Sequence, residues 1–230
     1  MSVAELLGRA SSNGRKNLTE VEAKEVLKAA GIGVTDTRLA KSRGEAVSIA
    51  KELGFPIVIK IVSPQILHKS DVGGVKLNLS DPNQVAAAYD EIVVAVAQQQ
   101  PEAVIQGVAV QKMARAGTEV IVGVSKDAKF GPVLMFGLGG IFVEIMKDVS
   151  FRLVPITRRD VKQMVREIKG YPLLEGYRGQ EPANVEALED ILMKVSDLAE
   201  QHQAIKEMDL NPIFAYRDGA VVVDARIILD

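Results

Sequence analysis

The chain has 230 residues, of which 47% are hydrophobic and 25% are charged, and its formal net charge at pH 7 is -2. This is the composition of an ordinary globular protein, long enough for one large domain or two smaller lobes. The small net charge argues against a protein that binds nucleic acid mainly through phosphate contacts, and the absence of cysteine excludes disulfides, thiolate catalysis and cysteine-ligated zinc.

The N-terminal segment, MSVAELLGRASSNGRKN, lacks the long apolar region and the cleavage site of a signal peptide. No run of the sequence reaches the roughly 20 apolar residues that a membrane-spanning helix requires. We therefore expect a protein of the cytoplasm, with neither a membrane nor nucleic acid among its partners.

The first half of the sequence predicts helices and strands in alternation. Thr19 and Glu22 form a capping box at the start of one helix, Ser42 caps a second, and the pair Asp81-Pro82 starts a third that continues to about Gln98. Strands are expected at GVTDTRLAKS, at the β-branched run PIVIKIV, whose composition indicates burial on both faces, and at GVKLNL.

The second half predicts further strands and two capped helices. Thr157 and Asn184 cap the helices, and the C-terminal segment predicts a hairpin that turns at Asp218-Gly219. The strands are AVIQGVAVQKM, TEVIVGVSKD, GPVLMFGLGG, FRLVPI, AIKEMDLNPIFAY and AVVVDARIIL. Several are joined by tight turns, so an α+β fold of two lobes is expected, residues 1–110 and 111–230, with 1–17 and 171–183 the least regular segments.

Lys60 lies inside the apolar run IVIKIV, where a charged side chain is costly unless an anion meets it. It could contact a bound phosphate, or its ammonium could reach solvent past a packed stem. If Lys60 contacts a phosphate, a substitution that removes its charge should lower nucleotide affinity and leave the stability of the ligand-free chain unchanged or higher. The nearby pair Gly73-Gly74, and a second cluster that includes Gly139 and Gly140, could bring backbone N–H groups close to a phosphate, although turns also require glycine.

Three oxygen-bearing side chains are expected to converge in the C-terminal hairpin. Asp209 and Asn211 are two residues apart, hence on one face of a regular strand, and Asp224 ends an apolar run on the strand expected to pair with it. Carboxylate and amide oxygens with phosphate are a ligand set that suits Mg²⁺. The same residues could equally well only cap a strand and form a turn.

His68 is one of two histidines in the chain and lies in the segment ILHKSDVGGVKL. It could be a packed loop residue, a metal ligand, a general base or a nucleophile that carries a group. A metal site that uses both histidines is disfavoured, because His202 lies at the end of a predicted helix.

The combination of PIVIKIVSPQILHKSDVGGVKLNL, EVIVGVSKDAKFGPVLMFGLGGIFVE, FRLVPI and DLNPI with VVVDARI resembles the ATP-grasp subunits of ADP-forming acyl-CoA synthetases. Within that superfamily the chain is most similar to the acetate-type β subunits, which are relatives of succinyl-CoA synthetase β. The resemblance extends over residues 18–230. It implies an ATP-grasp fold, in which two α+β lobes clasp a nucleotide between their sheets, with ATP or ADP and Mg²⁺ as ligands.

The resemblance also implies residue roles. His68 would be the second phosphohistidine of the reaction, with Asp71 orienting its ring and Gly73-Gly74 donating hydrogen bonds to the phosphoryl oxygens. Arg152 would belong to the phosphate site, and the role of Glu144 is left open. The nucleotide would contact Lys60, the hinge residues Gln111, Lys112 and Met113, the candidate ribose ligand Glu119, and Gly139 and Gly140, while Asp209, Asn211 and Asp224 would bind Mg²⁺.

The sequence contains no CoA-binding glycine pattern and no second catalytic histidine loop. We therefore expect one subunit of an enzyme whose α subunit carries the CoA-binding domain and the first phosphohistidine, assembled as an α2β2 hetero-oligomer. Two other hypotheses remain: a regulatory module that binds nucleotide without catalysis and has no use for His68, and a self-contained ATP-grasp ligase that joins a carboxylate to an amine and turns over without a partner.

Overall fold

The computed structural model describes residues 1–66, 68–140, 147–177, 179 and 181–230. Its contacts divide the chain into two compact units. The larger unit consists of Met1–Asn17, Ala23–Val34 and Ala116–Asp230, and the smaller unit of Leu18–Glu22 and Thr35–Arg115.

In chain order, the described residues form α1 (Val3–Ser12), α2 (Glu20–Ala29), β1 (Thr37–Ala40), α3 (Arg43–Leu53), β2 (Ile57–Val62), a 3₁₀ turn (Ser70–Val72), β3 (Val75–Leu79), α4 (Pro82–Gln99), β4 (Gly107–Lys112), β5 (Thr118–Asp127), β6 (Gly131–Leu138), β7 (Val149–Leu153), α5 (Arg158–Glu167), α6 (Tyr171–Leu174), α7 (Val185–Gln201), β8 (Ile205–Tyr216), β9 (Gly219–Val222) and β10 (Ala225–Leu229).

The sheet of the smaller unit has the order β1-β4-β2-β3, and its strand pairs are antiparallel. β2 lies inside this sheet with every residue buried, as its β-branched composition predicts. α3 and α4 pack against each other and against the sheet. Together they enclose an aliphatic core that includes Ile57, Ile59, Ile61, Val85 and Ile92.

The sheet of the larger unit has the order β10-β8-β5-β6-β7, and β9 pairs with β8. The long strand β8 is antiparallel to β5, β9 and β10, which gives it three pairing partners along its length. Helices α5 and α7 contact the sheet and each other. Met164, Leu188, Leu192 and Val195 of these helices are buried at 1% exposure or less.

The predicted helix caps are confirmed. Thr19 and Glu22 make the reciprocal hydrogen bonds of a capping box, and the side chains of Ser42, Asp81 and Asn184 accept hydrogen bonds from backbone N–H groups of the helices that they start. These interactions span two or three residues, so the local sequence is sufficient to predict them.

The N-terminal segment differs from expectation. Ser2 and Glu5 form a capping box, and α1 buries Leu6, Leu7 and Ala10, where an irregular segment was expected. A β-bridge joins Asn17 to Ile228 of β10, so residues 1–17 belong with the C-terminal half of the chain and not with residues 35–110. The two units therefore differ from the expected division into 1–110 and 111–230.

Two smaller differences concern the C-terminal half. Residues 171–174 form the short helix α6, and the last expected strand is interrupted after Val222, which separates β9 from β10. No helix of the described residues combines the length and the apolar character needed to cross a membrane.

Candidate functional site

Lys60 lies in the middle of β2 with its side chain 7% exposed. Its ammonium forms an ion pair with the carboxylate of Glu20, whose side chain is fully buried, with 2.7 Å between Lys60 Nζ and Glu20 Oε1. The other oxygen of the same carboxylate lies 3.0 Å from Nζ of Lys69. A buried lysine therefore has a protein anion beside it, which offsets the cost of desolvating its charge.

Sequence reasoning did not identify Glu20. It is the first residue of α2 and looks like an ordinary acidic residue of a first helical turn, next to the capping residues Thr19 and Glu22. The lysine inside an apolar strand was the available clue, since it requires an anion nearby. The partners are 40 positions apart in the sequence, so local spacing did not indicate which acid supplies it.

The segment after β2 places His68 at the surface. The described neighbours of its imidazole include no hydrogen-bond or ion-pair partner, and the same holds for the exposed carboxylate of Asp71. The structure therefore does not bring these two side chains into a hydrogen bond with each other. Leu67, between Ile66 and His68, lies outside the described residues.

Gly73 and Gly74 close the loop tightly. The N–H of Gly73 donates to Ser70 O at 3.1 Å, and the N–H of Gly74 donates to Lys69 O at 2.8 Å. Gly73 has φ of 65°, a left-handed backbone conformation that favours glycine. At Gly74 a Cβ would lie 2.6 Å from Ile61 Cγ2, so there is no room for a side chain. Both N–H groups are thus used inside the loop, which removes the donors on which the expected phosphoryl contacts depended.

The expected hinge, Gln111, Lys112 and Met113, lies at the end of β4. Gln111 is 1% exposed, and the ammonium of Lys112 donates to the carbonyl oxygens of Gly54 and Phe55 at 2.8 and 2.9 Å. The N–H of Met113 donates to the carbonyl of Pro56. These contacts join the hinge to the segment between α3 and β2, and its contact with adenine stays a prediction.

Glu119, Gly139 and Gly140 come together at neighbouring ends of β5 and β6. The N–H of Gly139 donates to Glu119 O at 2.8 Å, and a Cβ on Gly140 would lie 3.2 Å from Glu119 Oε2. The exposed Glu119 carboxylate is available from solvent beside the two glycines. Glu144, whose role was left open, lies outside the described residues.

Arg152 on β7 forms a two-pronged ion pair with Glu167 of α5, with N–O distances of 2.7 and 2.6 Å. This carboxylate holds the pKa of Arg152 above its ordinary value, and the guanidinium in turn lowers the pKa of Glu167. The contact joins α5 to the edge strand of the larger unit. That Arg152 contacts phosphate stays a prediction. The guanidinium would have to bind the phosphate in addition to Glu167, or exchange Glu167 for it.

The residues of the expected metal site lie on adjoining strand segments. Met208 and Leu210 are buried, which places Asp209 and Asn211 on the opposite, more exposed face of β8. The N–H of Asn211 donates to the carbonyl of Asp224 at 3.2 Å, so the interruption between β9 and β10 lies directly opposite Asn211. The residue of β5 that pairs with Asp209 is Gly123, which adds no side chain to this face.

Burial raises the pKa of Asp209, and the negative charges of Asp224 and Glu207 act in the same direction. Arg226 opposes them from 3.7 Å, with both side chains more than a third exposed. A bound cation would favour the ionised form of Asp209, so this donor set fits Mg²⁺. The described residues contain no group of three acidic or histidine side chains suited to a metal, so phosphate oxygens and water would complete the coordination.

Replacing Lys60 by Met should destabilise the ligand-free chain, by about 3 kcal/mol, because the buried Glu20 carboxylate loses its closer cation. The ion pair reverses the expectation, made from the sequence, that stability would hold or rise. Urea unfolding monitored by circular dichroism measures the change. Lys76→Met is the control, since Lys76 pairs with Glu91 at the surface and should change the free energy of unfolding by less than about 1 kcal/mol. Equal midpoints for Lys60→Met and wild type would contradict the prediction.

Asp209→Asn should raise the melting temperature of the metal-free chain at pH 7. An acid whose folded pKa lies above its unfolded value, 3.8, binds more protons when folded, so stability falls as the pH rises through the raised pKa. The gain should shrink as the pH is lowered towards 3.8. Asp127→Asn is a control of opposite sign, because N–H donation from Lys129 and Phe130 lowers the pKa of Asp127. Thermal melts in EDTA across this pH range test both variants, and a destabilised Asp209→Asn at pH 7 would refute the argument.

Comparison with known proteins gives a family. A family model described as an ATP-grasp domain matches residues 9–229. The β subunit of acetate–CoA ligase [ADP-forming] I from Pyrococcus furiosus is 52% identical over 225 residues, which are 98% of this chain and 97% of that protein.

Two solved structures of dinucleotide-forming acetyl-coenzyme A synthetase 1 from Ca. Korarchaeum cryptofilum match the whole chain and are matched over 100% of their own chains. One, in complex with coenzyme A, Ca-AMPCP and HgCl⁺, has a TM-score of 0.97 at 51% identity. The other, with coenzyme A and Mg-AMPPCP, has its phosphohistidine segment pointing towards the nucleotide binding site, a TM-score of 0.88 and 48% identity. With half of its residues identical over nearly its full length, the chain belongs to the ATP-grasp family and, within it, to the β subunits of ADP-forming acetate–CoA ligases.

Proposed function

We propose that this chain is the nucleotide-binding subunit of an ADP-forming acetyl-CoA synthetase and that His68 carries the phosphoryl group. The complete reaction would be acetyl-CoA + ADP + phosphate ⇌ acetate + ATP + CoA. The observation that carries the proposal is the exposed imidazole of His68, in the segment between the buried strand that bears Lys60 and the closed turn at Gly73-Gly74. A relative that is 48% identical contains a phosphohistidine segment directed at its nucleotide site.

The chemistry suits an exposed, neutral imidazole. In the direction of ATP synthesis, an oxygen of the ADP β-phosphate attacks the phosphorus of phospho-His68, the P–O bond forms and the P–N bond breaks. A proton held on the second ring nitrogen lets the ring depart as neutral imidazole. In the reverse direction, a ring nitrogen attacks the γ-phosphorus of ATP and ADP leaves.

The nucleotide would contact the residues expected from the sequence. We infer that Lys60 meets a phosphate while it keeps Glu20 as its protein partner, since one ammonium has three N–H donors. Gln111, Lys112 and Met113 would contact the adenine through backbone groups, Glu119 the ribose, and Gly139 and Gly140 would lie beside it. The support is that the hinge residues lie at the end of β4, and that Glu119 is exposed at the start of β5 beside the two glycines.

Mg²⁺ would be held by Asp209, Asn211 and Asp224 together with the nucleotide phosphates. When bound, the ion would neutralise phosphate charge and lower the barrier to attack by an oxyanion. The backbone segments that carry Asn211 and Asp224 adjoin each other, since the N–H of Asn211 donates to the carbonyl of Asp224. Asp209 would exchange part of its interaction with Arg226 for the cation.

A partner is required for the remaining steps. We propose an α subunit that carries the CoA-binding domain and the first phosphohistidine, in an α2β2 hetero-oligomer of the cytoplasm. The β-subunit designation of the Pyrococcus furiosus relative supports the existence of an α partner. Formation of the acyl phosphate would belong to that partner, and phosphoryl transfer to ADP to this chain.

His68→Ala should abolish ATP formation by the assembled enzyme and leave nucleotide affinity within about twofold of wild type, because Lys60 and the metal ligands are unchanged. The direct measurement is acid-labile, base-stable phosphate on the chain after incubation with labelled Mg·ATP. His202→Ala is the matched control, since His202 caps the end of α7 and should retain full labelling. Full activity of His68→Ala would return His68 to an ordinary loop residue.

Asp224→Ala should weaken ADP binding at least tenfold in the presence of Mg²⁺ and have little effect in EDTA, because it removes a metal ligand and not a nucleotide ligand. Isothermal titration in both buffers measures the difference. Asp190→Ala is the control, since Asp190 pairs with Arg158 on the surface of the helices. Loss of affinity that is equal with and without Mg²⁺ would reject the metal assignment.

A further inference from the structure

The buried carboxylate of Glu20 contacts two lysines with different places in the proposed reaction. Lys60 belongs to β2, and Lys69 is the residue immediately after His68. The three charged groups come from the start of α2, the middle of a central strand and the start of the 3₁₀ turn. All three lie in the smaller unit. One carboxylate therefore joins the strand that carries the phosphate-binding lysine to the base of the loop that carries the histidine.

Lys69 makes contacts in that loop through both its side chain and its backbone. Its side chain is only 18% exposed, and its carbonyl accepts the N–H of Gly74, which closes the turn. His68 is exposed, and its imidazole contacts no hydrogen-bond partner among the described residues. His68 is thus bonded directly to a residue whose side chain contacts Glu20 and whose carbonyl closes the turn.

A purely stabilising role does not account for this arrangement. Buried ion pairs are often no more stabilising than apolar side chains of the same volume, and in some proteins they serve to fix one arrangement of the chain. Here the two lysines that share the carboxylate are the proposed phosphate ligand Lys60 and the residue beside the proposed nucleophile His68. A displacement of about 1 Å at a reacting atom is enough to slow a transfer severely.

We propose that Glu20 is a positioning residue of phosphoryl transfer, which holds the His68 loop in register with Lys60 through its ion pair with Lys69. The inference rests on the proposed function of His68. It assigns to Lys69 a role in the rate of transfer and none in nucleotide affinity. It also requires the effect of Lys69 to depend on Glu20, so that removing Lys69 slows a chain that already lacks Glu20 much less than it slows wild type.

The test is single-turnover phosphorylation of the full chain by labelled Mg·ATP, together with titration of ADP. Lys69→Met should label at least tenfold more slowly than wild type and bind ADP within twofold of the wild-type Kd. Lys69→Arg, which keeps the ion pair, should restore labelling to within threefold. Lys76→Met removes a surface lysine of the adjoining strand β3 and should label like wild type.

The coupling is tested by a double-mutant cycle. Glu20→Gln should slow labelling at least as much as Lys69→Met does, because it also leaves Lys60 without this anion. The double variant should be no slower than the slower single variant. Amide hydrogen exchange over residues 68–74 should increase in both single variants and not in Lys76→Met, which gives a readout independent of turnover.

The failure modes are distinct. If wild type acquires no label, or His68→Ala acquires it, the proposed function fails and this inference fails with it. If wild type is labelled and Lys69→Met is labelled equally fast, only the inference is overturned. It is also overturned if ADP affinity falls in parallel with the rate, because Lys69 would then be a nucleotide ligand.

Discussion

The smaller unit depends on the carboxylate of Glu20. An ammonium in the middle of a buried strand is unstable without an anion, and Glu20 meets Lys60 at 2.7 Å where neither side chain is appreciably exposed. This ion pair holds the first turn of α2 against the sheet, because separating the two would leave both charges buried without this partner. Because Lys69 shares the carboxylate, the loop after β2 is tied to the same point.

The larger unit brings two carboxylates close together. Asp209 and Asp224 lie on adjoining segments of its sheet, and their proximity together with burial raises the pKa of Asp209. Carboxylates in such a setting suit a divalent cation, and the role of these residues as Mg²⁺ ligands stays a prediction.

The glycines illustrate how one residue type serves different needs. In the loop after His68, Gly73 supplies a left-handed backbone and Gly74 allows contact with Ile61, so both are explained by closure of the turn. In the larger unit, Gly139 and Gly140 leave room for the Glu119 side chain. A glycine pair in a sequence therefore indicates close approach of atoms, and whether the atoms belong to a ligand or to the chain itself is decided by the surrounding packing.

Features that depend on neighbours a few residues apart could be predicted from the sequence. The helix caps at Thr19, Ser42 and Asp81 follow from spacing, because a cap closes within one helical turn, and the full burial of β2 follows from its continuous run of mostly β-branched apolar residues. The segment around His68 combined with the segment that ends in GLGGIFVE indicated the family, and each of these is a contiguous string.

Which distant groups meet depends on the tertiary structure. That Glu20 pairs with Lys60 across 40 residues, that Arg226 lies beside Asp209, and that α1 belongs with the C-terminal half each depend on chain segments brought together by burial of apolar surface. Local sequence carries no record of such partners, because the free energy that selects them comes from the packing of both units as wholes.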